Sequence, residues 1–366
     1  MSHSNPVILG LLVLTSGLNA QDIVPFTTYN DRFYVFDQGS FTELEPRRPR
    51  SVVVSGDRLA YVTDGGDLKM YSDGRVDLLE RGRATEVRGS DHLIAFRIGD
   101  LLKVALPGRP KVLSYNCTDY EVQDSLIVYH DEQEHMLDIF WNGQIVPVAN
   151  ILLDSGRPQW SAGANTAVFF DHDARTVYLF YRGSTHVLFD GADAARVACG
   201  GDIVGYVDER DQLLRVFDHG VDYDLEPFPP KDMQAGDGLL AYTSVSGALK
   251  CYVDGNIHTV AEFAPTTYTV KDSLLAFVDQ GMLKVFDRGE VTIVERFVPE
   301  QWSIRGGMLA YLDLNRHVRL YHHGARIEVS REAGVEEFRS QRNAIYYRSN
   351  TGAARVWWKG RSYEHF

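Results

Sequence analysis

A repeat of about 35 residues runs through the chain and constrains its fold more than any other feature. One copy, Leu59 to Gly74 (LAYVTDGGDLKMYSDG), aligns without a gap with Val24 to Gly39. Near the end, Leu275 to Gly289 (LAFVDQGMLKVFDRG) matches again, with one residue fewer in its turn. Repeats of this length are typical of solenoids, propellers and other arrays of a single supersecondary unit.

Three landmarks recur along the chain and indicate ten copies, spaced mostly 34 to 37 residues apart. The first is an aromatic that usually follows a small or aliphatic residue: Phe26, Tyr61, Phe96, Tyr129, Phe170, Tyr206, Tyr242, Phe277, Tyr311 and Tyr347. The second is an aromatic about ten residues later, replaced by Ala105 in the third copy: Phe36, Tyr71, Phe140, Phe180, Phe217, Tyr252, Phe286, Tyr321 and Trp357. The third is a glycine: Gly39, Gly74, Gly108, Gly143, Gly183, Gly220, Gly255, Gly289, Gly324 and Gly360.

Each copy reads as a run of short strands separated by turns. In the second copy the strands are 51–54, 58–62, 68–71 and 76–79, and Asp73-Gly74 is a hairpin signal. No window of 12 residues shows a convincing helical period. The sequence therefore predicts an all-β chain of about forty short strands.

The first hairpin strand of most copies alternates large and small residues, as in Leu59-Ala60-Tyr61 and Ile94-Ala95-Phe96. Alternate residues point to opposite faces of a strand, so both faces of this strand are apolar. A sheet with one solvated face would place a polar residue at Ala60. The pattern favours a β-propeller, in which four-stranded blades stack face to face, over a β-solenoid.

The repeats resemble those of secreted β-propeller proteins, whose copies read roughly aliphatic-Ala-Tyr, then Leu-Lys-Val-Phe, then Gly. The resemblance covers residues 24–366 and implies a fold rather than an active site. Ten hairpins but only nine leading strands can be placed, so we expect one ring of nine or ten blades. Two tandem five-bladed rings, divided near residues 190–193, and an unclosed stack of blades remain alternatives.

Residues 1–20 differ from the repeat and predict a signal peptide that is cleaved after Ala20. The apolar run 7–14 (VILGLLVL) is followed by small and polar residues and is too short to span a membrane. A buried N-terminal strand is the alternative. We therefore expect a secreted or periplasmic protein, with the propeller domain at 21–366.

The charge and the cysteines exclude several functions. A net charge of −13 and a pI near 5.4 argue against nucleic acid and anionic membrane surfaces, which need clustered basic residues. Cys117, Cys199 and Cys251 show neither a disulfide framework nor metal-binding spacing, and Cys251 is expected to be a small core residue. We expect no cofactor and a monomeric chain.

Several polar clusters are candidate sites, although each also fits a structural role. Asp171-His172-Asp173 is the densest potential metal cluster, but it falls where other copies have a hairpin turn and lacks the spacing of a calcium loop. Residues 130–135 (HDEQEH) occupy the equivalent turn of the preceding copy, and the alternative is that the two turns share a rim and bind a cation together. His322-His323 fits an exposed turn. Trp160 and Trp302 share a Gln-Trp-Ser context that indicates packing, with a sugar platform as the alternative.

A basic residue recurs on the second hairpin strand and could line a channel or groove. Alternatively, its aliphatic stem covers the strand while its charge stays in water. It occurs in seven copies: Lys69, Lys103, Arg215, Lys250, Lys284, Arg319 and Arg355.

The uniform copies favour a non-enzymatic binding or scaffold module for a protein or a glycan. No nucleophile elbow, P-loop or zinc-protease motif is present, and no catalytic residue can be named. The alternative is a carbohydrate-active enzyme with a carboxylate site at the channel mouth, which perturbed carboxylates there would favour. A structural role within a larger assembly is a third possibility.

Overall fold

The computed structural model describes residues 22–150, 160–171, 173–190, 196–208 and 210–365. In this part of the chain thirty-nine strands form ten antiparallel sheets, nine with four strands and one with three. The described residues contain no helix, and thus none that could cross a bilayer. The predicted signal peptide, most of the longest connection after Ala149 and the suggested division near residues 190–193 lie largely outside the described residues. The all-β prediction is confirmed.

Each sheet is one blade, and its strands lie side by side in chain order. The strands of blades 1 to 5 are β1 (Val24–Thr27), β2 (Phe33–Asp37), β3 (Ser40–Glu45); β4 (Ser51–Ser55), β5 (Arg58–Val62), β6 (Leu68–Ser72), β7 (Arg75–Glu80); β8 (Glu86–Gly89), β9 (Ile94–Ile98), β10 (Leu101–Val104), β11 (Lys111–Ser114); β12 (Cys117–Val122), β13 (Leu126–Asp131), β14 (Met136–Trp141), β15 (Gln144–Asn150); β16 (Trp160–Ala162), β17 (Thr166–Asp171), β18 (Thr176–Tyr181) and β19 (Ser184–Asp190).

The strands of blades 6 to 10 are β20 (Arg196–Cys199), β21 (Ile203–Asp208), β22 (Leu213–Asp218), β23 (Val221–Glu226); β24 (Asp232–Ala235), β25 (Leu239–Thr243), β26 (Leu249–Val253), β27 (Asn256–Ala261); β28 (Thr267–Lys271), β29 (Leu274–Asp279), β30 (Met282–Asp287), β31 (Glu290–Glu295); β32 (Trp302–Arg305), β33 (Met308–Leu312), β34 (Val318–His322), β35 (Ala325–Glu328); β36 (Val335–Ser340), β37 (Ala344–Ser349), β38 (Ala354–Trp358) and β39 (Arg361–His365).

We call the four strand positions of a blade A to D in chain order. The A strands of neighbouring blades contact one another, as β4 does β8 and β20 does β24, so they surround the central channel and the D strands form the rim. In blade 1, β1 is a B strand, because Val24 pairs with Phe36 as Leu59 pairs with Tyr71 in blade 2. The described residues thus contain nine A strands and ten hairpins, as the sequence indicated.

The core lies between blades and depends on the alternation of the B strand. Leu59 and Tyr61 pack against Phe33 and Val35 of the preceding blade. Ala60, between them, faces the next blade and leaves room for its large residues. The stacking role predicted for this strand is confirmed.

The prediction of the first landmark in blade 5 was wrong by one residue. In blade 5 it is Phe169, not Phe170, that pairs with Tyr178 as Tyr61 pairs with Lys69. Phe169 also packs towards the preceding blade, against Leu126 and Val128. The strand Thr166–Asp171 (TAVFFD) is apolar at four consecutive positions, so its alternation cannot fix which phenylalanine faces which blade.

The blades form one closed ring of ten. Val24 and Phe26 of blade 1 pack against Ala344 and Tyr346 of blade 10. The buried Asp22 carboxylate accepts hydrogen bonds from blade 10, from Asn343 and Trp358. These contacts exclude both two five-bladed rings and an unclosed stack.

The ring has two different faces. The A–B and C–D turns lie on one, here called the AB face, and the B–C turns and D–A connections lie on the other, the DA face. Nine C–D turns have positive φ at both central residues, for example 50° at Asp73 and 73° at Gly74, which is the type I′ geometry expected of such hairpins.

Candidate functional site

The A–B turns converge on the AB face around one mouth of the channel, a cavity of about 630 Å³. Neighbouring turns are hydrogen-bonded to one another: Asp91 N donates to Asp124 Oδ1 at 2.9 Å, and Asp237 N donates to the Asp272 carbonyl at 2.6 Å. Five aspartates line this mouth: Asp91, Asp124, Asp202, Asp237 and Asp272.

Two of these aspartates have shifted pKa values in opposite directions. The concave mouth partly desolvates Asp237 and, together with the surrounding carboxylates, raises its pKa, although the side chain is open to solvent. Partial burial also disfavours ionisation of Asp202, but hydrogen bonds from Tyr181 and Asn165 outweigh it and lower the pKa of that carboxyl. Titratable groups with diverging pKa values in one cleft are a feature of acid–base sites.

An arginine reduces the negative charge of the mouth. Arg305 of blade 9 forms an ion pair with Asp91 of blade 3, with 2.7 Å between the guanidinium nitrogen and Oδ1. Among the described residues, no three His, Cys, Asp or Glu side chains are grouped so that they could hold a metal ion. Arg182 pairs with Asp202 in the same way, and Arg342 also lines the cavity. The mouth is therefore an acidic cavity whose negative charge is partly offset by arginines.

The DA face exposes large apolar side chains, whereas the mouth on the AB face is acidic. Every large apolar side chain that the described loops expose lies on this face, and no described AB-face turn exposes one. Phe263 and Leu314 are 73% and 78% exposed. The full set is Tyr29, Tyr115, Phe228, Val245, Phe263, Val298 and Leu314.

The most apolar cavity on the DA face lies between blades 6 and 7 and measures about 390 Å³. The D–A connection of blade 6 supplies Pro227, Phe228 and Pro230, and the B–C turn of blade 7 supplies Val245. Within this cavity Glu226 Oε1 accepts hydrogen bonds from Tyr242 Oη at 3.1 Å and from Lys250 Nζ at 2.5 Å. Because these polar groups satisfy one another, the cavity presents mainly apolar surface.

We call the interface between two neighbouring blades a seam. A related cavity of about 320 Å³ lies at the seam between blades 8 and 9, two seams beyond the first cavity. Phe297 and Leu314 line it, and Glu295 accepts a hydrogen bond from Tyr311 at 2.8 Å, as Glu226 does from Tyr242. Both cavities therefore have the same arrangement: a D–A connection that carries a phenylalanine lies beside the B–C turn of the next blade.

The recurring basic residues do not form a free cationic ring, because each of the seven pairs with a carboxylate. Lys69, Lys103 and Lys250 reach a glutamate at the end of the preceding blade's D strand, as in Lys69 Nζ to Glu45 Oε1 at 2.6 Å. The others pair in their own blade or with an adjacent connection. The three lysines therefore join neighbouring blades, and the charged groups of all seven residues are paired rather than simply left in water.

The residues considered as metal ligands lie in hairpin turns, where aspartate side chains accept hydrogen bonds from the backbone of the turn. Asp171 Oδ1 accepts the backbone N–H groups of Asp173 and Ala174 at 3.0 and 2.9 Å, and His172 lies outside the described residues. In the equivalent turn of blade 4, Asp131 Oδ1 likewise accepts the backbone N–H groups of Gln133 and Glu134. His130 is fully buried, with Nδ1 2.8 Å from Thr118 Oγ1, so it does not extend into the turn.

The remaining candidates also have structural roles. The rings of His322 and His323 contact each other at the predicted C–D turn, with centroids 4.1 Å apart and planes tilted by 36°. Trp160 and Trp302 occupy A strands and pack against the neighbouring cores, which confirms the packing interpretation. Cys251 is fully buried in the core, as predicted.

Sequence reasoning missed the apolar DA-face loops. A signal for them was present: Phe-x-Pro occurs at Phe228, Phe263 and Phe297, each in the same D–A connection of successive copies. The motif lies outside the three landmarks, and its exposure becomes evident only once the D–A connections are placed on one face.

The chain can be compared with curated sequences, with solved structures and with protein-family models. A search of curated protein sequences finds no match. Solved structures that resemble the chain include the computationally designed Ika8 protein (15% identity, 92% of this chain, 99% of that one, TM-score 0.38). The CRINKLY WD40 ectodomain of the Arabidopsis thaliana receptor kinase ACR4 has 10% identity, 65% and 93% coverage and a TM-score of 0.38. PorZ, a surface component of the type-IX secretion system of Porphyromonas gingivalis, has 11% identity, 92% and 64% coverage and a TM-score of 0.26.

With TM-scores this low, these likenesses carry no argument. The family-level match is more informative, because the model of the 10-bladed beta propeller domain matches residues 17–363. That span agrees with the ten blades counted in the ring. The chain therefore belongs to the family of ten-bladed β-propeller domains.

Proposed function

We propose that this protein is a secreted or periplasmic, monomeric, non-enzymatic module that binds a partner protein through its DA face. The observation that carries the proposal is that, among the described loops, every exposed large apolar side chain lies on that face. Apolar side chains grouped on one side of a monomer mark interaction surfaces, whereas scattered ones do not. The rigid ring holds these loops in fixed positions, as binding loops require.

The cavity between blades 6 and 7 indicates the kind of contact. Two prolines, two aromatic rings and a valine line it beside two serines, and its one ion pair is already satisfied. Grooves of this composition accept proline or bulky apolar side chains from an extended segment. We therefore expect a protein partner that inserts such a side chain here.

A phage-displayed library of extended peptides tests this function. We expect the protein to enrich sequences with proline or large apolar residues, and Phe228→Ser combined with Val245→Ser to weaken their binding at least tenfold. Val187→Ser combined with Val221→Ser is the matched control, since both valines are exposed on rim strands. Equal losses in both variants, or glycan binding with no peptide enrichment, would contradict the proposal.

Secretion rests on residues 1–20 and is tested separately. N-terminal sequencing of protein recovered from the periplasm or medium should give Gln21 as the first residue. A chain that keeps Met1 after export would contradict cleavage at this position.

A carbohydrate-active enzyme remains the second candidate, because the mouth contains the perturbed Asp237 carboxyl beside further aspartates. Incubation with a panel of oligosaccharides, followed by product analysis, tests it. Turnover that is lost in Asp237→Asn but retained in Asp57→Asn would establish the enzyme and contradict the non-enzymatic proposal.

A further inference from the structure

A second cavity on the DA face differs in chemistry from the apolar one. It measures about 450 Å³ and lies where blades 10, 1 and 2 meet. Four arginines line it, Arg48, Arg50, Arg339 and Arg348, together with two carboxylates, Asp31 and Glu337. An excess of positive charge in one cavity contrasts with the net charge of −13 for the chain.

Two of the arginines are held in place by the fold. Arg348 donates to the Thr27 carbonyl at 2.6 Å and to Tyr346 Oη at 2.7 Å, and its guanidinium lies over the Tyr29 ring. Arg339 forms an ion pair with Glu337, with 3.5 Å between a guanidinium nitrogen and Oε2. These contacts fix one wall of the cavity and orient the exposed Tyr29 ring along it.

Arg48 and Arg50 are in a different situation. Both are exposed on the D–A connection that leads into blade 2, and within the described residues neither has an ion pair. Guanidinium groups bind carboxylates in a planar, bidentate geometry, which makes an unpaired arginine pair well suited to acidic side chains.

The adjoining strand edge suggests that side-chain charge, rather than strand pairing, provides the recognition. Pro25, in the middle of β1, has no N–H to donate. The Thr27 carbonyl already accepts a hydrogen bond from Arg348. Few backbone groups on this edge are therefore available to extend the sheet with an added strand.

We propose that this cavity binds an acidic, extended segment of a partner protein through Arg48 and Arg50. A protein segment is favoured over an anionic glycan because the cavity shares a face with the apolar loops. It lies on different blades from the apolar cavity and uses different residues, so it is a second site on the same face, and its choice of a protein partner rests on the proposed function. The volume is within the range of sites that bury a small ligand or a few side chains.

Fluorescence anisotropy with a labelled peptide of alternating glutamate and threonine tests the site in the full chain. We expect binding that weakens as NaCl increases and that falls at least tenfold in Arg48→Glu combined with Arg50→Glu. Arg48→Lys combined with Arg50→Lys should retain part of the affinity. Arg81→Glu combined with Arg83→Glu is the matched control, with the same charge change on the next D–A connection, outside the cavity.

Each alternative result has a defined meaning. Equal losses in the two glutamate pairs would show general electrostatic attraction and overturn the site. Absence of salt-sensitive peptide binding, or binding of heparin and polygalacturonate without the peptide, would also overturn it. Thermal unfolding of each variant establishes that folding is intact. The phage selection at the apolar cavity is independent, so either site can fail alone.

Discussion

At the scale of single residues, a tyrosine–aspartate hydrogen bond links blades at three seams. Tyr71 donates to Asp37 at 2.8 Å, Tyr252 to Asp218 at 2.9 Å and Tyr321 to Asp287 at 3.4 Å. The partners are always 34 residues apart. In copies where the second landmark is Phe or Trp, the preceding blade also lacks this aspartate. The tyrosine hydroxyl and the aspartate carboxylate are therefore either both present or both absent at a given seam.

Tyr71→Phe should lower the free energy of unfolding by about 1–3 kcal/mol, because it removes the donor from a carboxylate in the blade interface. Asp37 Oδ1 already has no hydrogen-bond partner among the described residues, which makes the loss of the Oδ2 partner more costly. Chemical denaturation measures the change. Tyr223→Phe, on the exposed rim, should have almost no effect, and equal losses in the two variants would refute the role of the hydrogen bond.

Asp138 gives a residue-scale prediction about pH. It occupies the strand position that is basic in seven other blades, and burial, with Asp131 and Glu134, raises its pKa to about 6. Because this folded pKa exceeds the unfolded one, the charged form costs folding free energy at neutral pH. That cost is relieved as the pH falls through about 6 towards 4.

Asp138→Asn should therefore stabilise the protein at pH 7 to 8 by up to about 3 kcal/mol, and the gain should shrink as the pH approaches 4. Urea denaturation across this range measures it. Glu132→Gln, in the adjacent exposed turn, controls for the change in net charge. A gain that is independent of pH would contradict the assignment.

At the scale of strands and turns, the sequence predicted most of the structure. Large–small–large strands and Gly-terminated hairpins define the B strand and the C–D turn, because packing and positive φ demand those residue types. The error at Phe170 arose where four apolar residues in a row removed the alternation. The A–B turns were less predictable, since their glycines serve contacts between blades that local sequence does not reveal.

Gly236 shows what those glycines do. A Cβ built on this residue would overlap the backbone carbonyl oxygen of Asp272 in the next blade's turn. Gly236→Ala should therefore destabilise the protein by about 1–3 kcal/mol, since backbone must shift to relieve the overlap. Gly65→Ala, whose new Cβ would meet only Thr63 Oγ1 at 3.8 Å, is the matched control. Differential scanning calorimetry compares them, and equal melting temperatures would exclude the packing explanation.

At the scale of the whole molecule, the sequence predicted a propeller but left the count between nine and ten blades. The first copy supplies three strands among the described residues, so counting hairpins and counting A strands give different numbers. The candidate binding face was not predicted at all. Phe228, Val245 and Leu314 come from different blades, and only the closed ring places them on one side.

Ring closure itself can be tested, because the seam between blades 10 and 1 joins two blades that are not consecutive in the chain. Asp22 holds that seam by accepting hydrogen bonds from Asn343 Nδ2 at 2.9 Å and Trp358 Nε1 at 3.0 Å. Asp22→Ala leaves both donors unpaired, at a cost of about 2–3 kcal/mol.

Asp22→Ala should open the ring locally before it unfolds. We expect limited proteolysis to cut first within blades 1 and 10, and small-angle scattering to give a larger radius of gyration than for wild type. Tyr252→Phe weakens a seam that the chain does cross and serves as the control: its loss of stability should leave the radius unchanged and the first cuts distributed elsewhere. If both variants are cut at the same sites and rates, the noncovalent seam is no weaker than the others, and closure depends on the apolar contacts of Val24 and Phe26 rather than on Asp22.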